Sequence, residues 1–138
     1  MAYWLLKTEA GTWSWEQQKK KGARGEAWSG VRNHQAANNM KAMAKGELCL
    51  FYHTGDEKRI VGIVEVIGAY RPDPTDKTGK FGLVVVKAVR DLPRPVGLAE
   101  IRRAPKLKDM VLVNNSRLSV QPVTADEWKL VCAMGGVT

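Results

Sequence analysis

The sequence predicts an α+β fold, a small mixed β-barrel with peripheral helices, and three observations carry that expectation. Strand-forming runs dominate, the helical patterns fall between the first strands and at the C-terminal end, and neither regular strand-helix alternation nor a glycine-rich phosphate loop supports a doubly wound sheet. A length of 138 residues with 44% hydrophobic content suits one compact domain, 1–138, large enough to bury its own core.

Residues 3–7 are aromatic and apolar, the signature of a buried first strand near the centre of a sheet. Ser14 and Gln17 have capping-box spacing and Trp13 can serve as the hydrophobic staple, which predicts a short helix from Trp15 to Lys20. Lys19, Lys20 and Lys21 then lie where the helix dipole favours cations, more often a solvated helix end than a phosphate contact. Ser29-Gly30 is a turn signal before a helix over 33–44, with Asn33 as N-cap and Gly46 supplying the left-handed residue that stops it. Residues 47–53 and 59–70 read as a hairpin around Thr54-Gly55-Asp56, and Gly62 and Gly68 mark bulges or tight bends in its second strand.

A turn-rich loop over 72–79 leads to a strand at 81–89 with the β-branched centre Val84-Val85-Val86. The prolines of 92–96 extend the chain, a short helix occupies 98–103, Pro105 closes it, and 109–114 reads as another turn or two of helix. Residues 117–123 form a strand with Leu118, Val120 and Pro122 on one face, Pro122 marking an end or an edge. Thr124 and Glu127 make a second capping box, so a helix with Trp128, Leu130, Val131 and Met134 follows.

Lys and Arg (22) exceed Asp and Glu (14), a net charge of +8 that favours an anionic partner such as nucleic acid. The distribution sharpens this: no carboxylate occurs between Glu26 and Glu47 or between Asp109 and Asp126, and these two segments would form a basic concavity if they met. Cys49 and Cys132 are far apart in apolar runs, which predicts buried free thiols, no zinc site and no disulfide framework. No apolar run is long enough to span a bilayer, so the expectation is a cytoplasmic protein without a membrane partner, and no cofactor motif is present. No feature specifies an oligomeric state.

Residues 28–39 combine an indole, a turn, an arginine and a series of amide and imidazole side chains, a mixture that neither a core helix nor a strand requires. It suits recognition of something polar and planar. A base held out of its stack is recognised by stacking on flat side chains and by hydrogen bonds to its edge. Trp28, placed before a turn where a ring can face a cleft, is the candidate platform, against the alternative of a core tryptophan. Ser29, Asn33, Gln35 and Asn38 have the donors and acceptors that a base edge demands, although Asn33 is equally read as a helix cap. Arg32 and Arg117 are candidate phosphate contacts, Arg117 alternatively pairing with a carboxylate such as Glu9. Phe51 and His53 share one face of a strand and, with Ser116, are expected to close the pocket, while His34 is assigned to the surface.

Five segments, 3–9, 28–36, 51–53, 62–66 and 116–123, together resemble the EVE domain family in order and over nearly the whole chain. The sequence departs from the family pattern at Ala10, where a proline is usual, and at Ala37, where an arginine is frequent. The resemblance implies a PUA-like β-barrel related in shape to YTH domains, and a reader that places a modified base of DNA or RNA in a pocket; it also points to Trp28 as the platform. The expectation is therefore a non-enzymatic module, with an enzyme acting on modified nucleotides or tRNA, or a protein-interaction module, as the alternatives. With only His34, His53 and two buried thiols to carry chemistry, a nucleophile-base pair has few candidates.

Overall fold

Side chains of the strand Tyr3–Thr8 (β1) alternate between two apolar layers, Trp4 and Leu6 entering one and Leu5 the other. The same division runs through Leu48–His53 (β3), with Cys49 and Phe51 in the first layer and Leu50 and Tyr52 in the second. The computed structural model, which describes residues 1–137, thus shows a sheet buried on both faces. Its six strands run in the order β2 (Glu26–Ala27), β5 (Gly82–Gly97), β4 (Arg59–Pro72), β3, β1 and β6 (Val120–Val123). The β1–β3 pair is parallel and the others are antiparallel. Helices α1 (Trp15–Lys20) and α2 (His34–Ala42) contribute Trp15, Ala36 and Met40 to the first layer. The second is covered by α3 (Leu98–Arg103), α4 (Val111–Asn114) and α5 (Ala125–Met134), through Ile101, Leu112, Trp128 and Val131.

The α+β class is as expected, but the barrel is not closed: among the described residues the hydrogen-bonded ladder ends at β2 and β6. Helix α2 packs against β6 at one end of the sheet and against β4 and β5 toward the other, so the sheet curls around the helix. Asn39 fastens it there, its amide donating to the Val120 carbonyl at 2.7 Å. The first strand is interior and buried but lies fifth in the order, nearer the rim than the centre. Pro122 sits on the edge strand, where a missing N–H costs no ladder bond, and its ring faces solvent instead of joining Leu118 and Val120 in the core. That strand starts at Val120, later than expected. The buried Gln121 amide donates to the carbonyls of Leu118 (2.8 Å) and Asn115 (3.2 Å), holding the preceding residues in a turn.

Both capping boxes form. Helix α2 ends at Ala42 because Met43 turns extended to bury its side chain, and Gly46, at φ 91°, completes the reversal into β3. The β4 register shifts around Gly62 and Gly68, as bulges require. Gly62 has a further reason to lack a side chain: a Cβ there would stand 2.2 Å from the Trp15 indole, which lies flat against the strand. Both cysteines are free and buried, and burial pushes the Cys49 thiol far above its ordinary pKa. No helix among the described residues is long and apolar enough to cross a membrane.

Candidate nucleic-acid interface

The segment 28–32 is held in one conformation by bonds to two distant elements. The Trp28 N–H donates to Val84 O on β5 at 2.8 Å, and the chain then turns through Gly30, whose φ of 84° favours glycine. The Gly30 N–H and the Arg32 guanidinium both donate to Asp73 Oδ2, at 2.9 and 3.2 Å, and Arg32 also reaches Thr75 Oγ1 at 3.0 Å. The Asp73 carboxylate is wholly buried. Burial opposes its ionisation, yet the bonds from Thr75, Gly30 and Arg32 prevail and hold its pKa down at about 2. The turn is therefore organised around a buried negative charge.

Beside it opens a cavity of about 420 Å³, bordered by Lys7 and Thr8 of β1, Thr12 and Trp13 of the following loop, residues 26–32, and Ser119 before β6. That size lies within the range of small-molecule pockets. Two indoles reach it. Trp28 is 8% exposed and packs edge-on against Phe51, centroids 5.7 Å apart, and Phe51 in turn meets Trp15 at 5.0 Å. Trp13 is half-buried, its Nε1 donating to Gln18 Oε1 at 2.9 Å, while the buried Gln18 amide donates to Val86 O at 3.1 Å. Both rings are thus oriented from behind by the sheet. Thr8, Thr12, Ser29 and Ser119 are the hydroxyl residues of the lining, the Thr8 hydroxyl donating to the Trp13 carbonyl at 2.9 Å, and Arg32 borders the cavity beside them. Lys7 borders the cavity, but its ammonium serves the opposite face, donating to Ser116 O at 2.7 Å and lying 5.7 Å from the centre of the Tyr52 ring. Aromatic faces surrounded by small donors and acceptors can stack a planar heterocycle and bond its edge.

Of the residues expected from sequence, Trp28, Ser29 and Arg32 border the cavity. Asn33 does not: its Oδ1 accepts from the Ala36 N–H at 2.9 Å, so the amide is spent on the helix cap. Gln35 and Asn38 face solvent, because Ala36, Ala37 and Met40 form the buried side of α2. Ala37, where an arginine is frequent in the family, is 3% exposed and belongs to that buried side. Phe51 is fully buried and supports Trp28 from the core. His53 has both ring nitrogens engaged, Nε2 accepting from the Trp15 N–H at 3.0 Å and Nδ1 bonded to Glu57 at 2.9 Å, so it fixes α1 to the hairpin and does not reach the cavity rim. Ser116 contributes its carbonyl to Lys7, and Arg117 is exposed, with no carboxylate within ion-pair distance among the described residues. The second carboxylate-free segment reaches the cavity only through Ser119.

Trp13 was legible only as a staple for α1. Its signal was a large ring immediately before a helix cap, where an indole needs a partner for its N–H. The local bonds of Asp73 to Thr75 belong to the turn-rich loop, but nothing signalled its bonds to Gly30 and Arg32, which lie 43 and 41 residues away in sequence.

A curved mixed sheet with helices on both faces and a cavity bordered by Trp13 and Trp28 defines an α+β architecture of the PUA-like kind. The EVE domain model matches residues 2–134, and the chain belongs to that family. Thymocyte nuclear protein 1 of Homo sapiens is 32% identical over 165 residues, covering 96% of this chain and 73% of the relative. Among solved structures, a Rhodopseudomonas palustris protein is 57% identical with a TM-score of 0.94, covering 99% of this chain and 94% of that one. Human THYN1 in complex with 5-methylcytosine containing DNA is 32% identical with a TM-score of 0.90, covering 100% of this chain and 99% of that one. The expected kinship in shape with YTH domains holds for the fold: that of Zygosaccharomyces rouxii MRB1 has a TM-score of 0.59 at 21% identity, covering 99% of this chain and 88% of that one.

Proposed function

We propose that this domain is a non-enzymatic nucleic-acid-binding module that accepts one modified base, methylated or otherwise altered, of DNA or RNA in the cavity between Trp13 and Trp28. The observation that carries the reading is the pair of indoles at one preformed opening, each oriented from behind by the sheet. The human THYN1 complex with methylated DNA supports it, as does the net charge of +8. Ser29 and Ser119 are the proposed edge contacts and Arg32 the contact to the adjoining phosphate. Gln35, Asn38 and Arg117, exposed on the same basic chain, are assigned to the polymer outside the cavity; Asn33, Phe51, His53 and Ser116 support the site without touching the base.

The engagement of His53 on both nitrogens and the burial of both thiols favour binding over catalysis, since neither this histidine nor a cysteine is presented at the cavity, and Glu26 on its border is paired with Lys21. Free, buried cysteines also fit a reducing compartment such as the cytoplasm.

The test is fluorescence anisotropy with oligonucleotides carrying methylated or hydroxymethylated bases and with their unmodified twins. Stacking contributes on the order of 1–3 kcal/mol per base, so Trp28→Ala or Trp13→Ala is expected to weaken binding of the preferred modified probe by about 5- to 150-fold. Trp13→Ala guards against a folding artefact, because that ring is only half-buried. Equal affinity for every probe, unchanged by either substitution, would exclude the cavity as a base site.

A further inference from the structure

The loop between β4 and β5 carries two buried aspartates, each turned into the loop's own donors. Asp73 Oδ1 accepts from the Thr75 N–H (2.8 Å) and hydroxyl (2.6 Å), while its Oδ2 binds Gly30 and Arg32. Asp76 repeats the pattern. Its Oδ1 accepts from the Thr78 N–H (3.0 Å) and hydroxyl (2.6 Å), and its Oδ2 from the N–H groups of Lys80 (2.9 Å) and Phe81 (2.7 Å). Both residues are buried, whereas Lys77 and Lys80 are exposed and have no carboxylate within ion-pair distance among the described residues. The loop therefore turns its negative charge inward and its positive charge outward.

This loop adjoins the cavity through one residue. Arg32 borders the opening, bonds Asp73 and Thr75, and places its guanidinium carbon 5.9 Å from the centre of the Phe81 ring. On the same ring, His34 packs with centroids 4.8 Å apart. Arg32, Phe81 and His34 thus form one packed group that runs from the cavity to the chain position next to Lys80. A strand whose base occupies the cavity has its next phosphates within one or two nucleotides of that opening, and exposed lysines on a fixed loop are the groups that hold phosphates without reading sequence.

We propose that residues 73–81, together with Arg32 and His34, form a second subsite that binds the phosphodiester backbone of the strand flanking the base in the cavity. It rests on the base-reader assignment, but it supplies affinity while the cavity supplies discrimination.

The experiment titrates wild type and the Lys77→Ala/Lys80→Ala variant with a 5-methylcytosine oligonucleotide and its unmodified twin across a range of salt, with poly-glutamate as a competitor. The substitutions touch no buried group and leave the Lys80 N–H in place, and a thermal melt confirms folding. The variant is expected to bind both probes about tenfold more weakly, with the slope of log K against log salt reduced by about 2 and the methylated-to-unmodified ratio unchanged. Unchanged affinity and slope, with wild type still discriminating, overturns the subsite and leaves the base reader standing. Loss confined to the methylated probe also overturns it, because the lysines would then act through the cavity. A parallel loss on both probes with no discrimination by wild type supports the subsite and removes the base reader, whereas no binding by wild type removes both. Displacement by poly-glutamate as effective as by unmodified oligonucleotide, at equal charge, assigns the face to acidic chains in general and overturns the proposal.

Discussion

The two faces of the sheet bury aromatic rings to opposite ends. On the face covered by α3, α4 and α5, Trp128 stacks on Tyr3 with centroids 4.4 Å apart and its neighbours Leu5, Val123 and Val131 complete an ordinary core. On the other, Trp15 seals the sheet over Gly62, but Trp13 and Trp28 stand where the covering helices leave a gap. The same residue type is structural where a helix closes over it and available where none does. Burial alone does not separate the cases, for Trp28 and Trp128 are each 8% exposed. What differs is the neighbour: Trp28 borders a cavity with polar groups around it.

The largest effect that would break this contrast is on the closed face. Trp128→Ala is expected to cost about 3–5 kcal/mol of folding stability by denaturant titration, while the surviving folded fraction keeps its preference among oligonucleotides. A loss of preference at native folding would show that the faces are not separate in role.

An intermediate effect concerns the clamp under the open face. Asp73 has its pKa held at about 2, below the ordinary 3.8, so the folded state releases its proton more readily than the unfolded chain does. Its stabilisation is complete above about pH 4 and is lost as pH falls toward about 2. Asp73→Asn is expected to be less stable at neutral pH and to show a shallower decline in melting temperature over that acid range. It should also weaken oligonucleotide binding, since the Gly30 and Arg32 bonds shape the cavity wall; an identical acid profile would mean that another carboxylate carries the linkage.

The smallest effect separates cap from reader. Asn33→Ala is expected to lower stability by about 1 kcal/mol through the lost helix cap, with the ratio between modified and unmodified probes unchanged. A selective loss of the modified probe in equilibrium binding would return Asn33 to the site.

Much of this protein was readable one segment at a time. The capping boxes at Ser14 and Thr124, the Asn33 cap, the bulges at Gly62 and Gly68, and the edge position implied by Pro122 follow from local chemistry, because each depends on partners a few residues away or on the backbone itself. Trp28, Ser29 and Arg32 stood out for a related reason: a short stretch that satisfies neither helix nor strand periodicity must answer to something else. By contrast, only the assembled sheet decided that Gln35 and Asn38 point to solvent, that His53 ties Trp15 to the hairpin, and that Trp13 joins Trp28 at one opening. Which side of a helix or strand is covered depends on what the rest of the chain packs against it, and Asp73 reaches Gly30 across 43 residues. Side-chain type and spacing declare what a residue can do; the packing of distant segments selects which of those capacities remains free for a ligand.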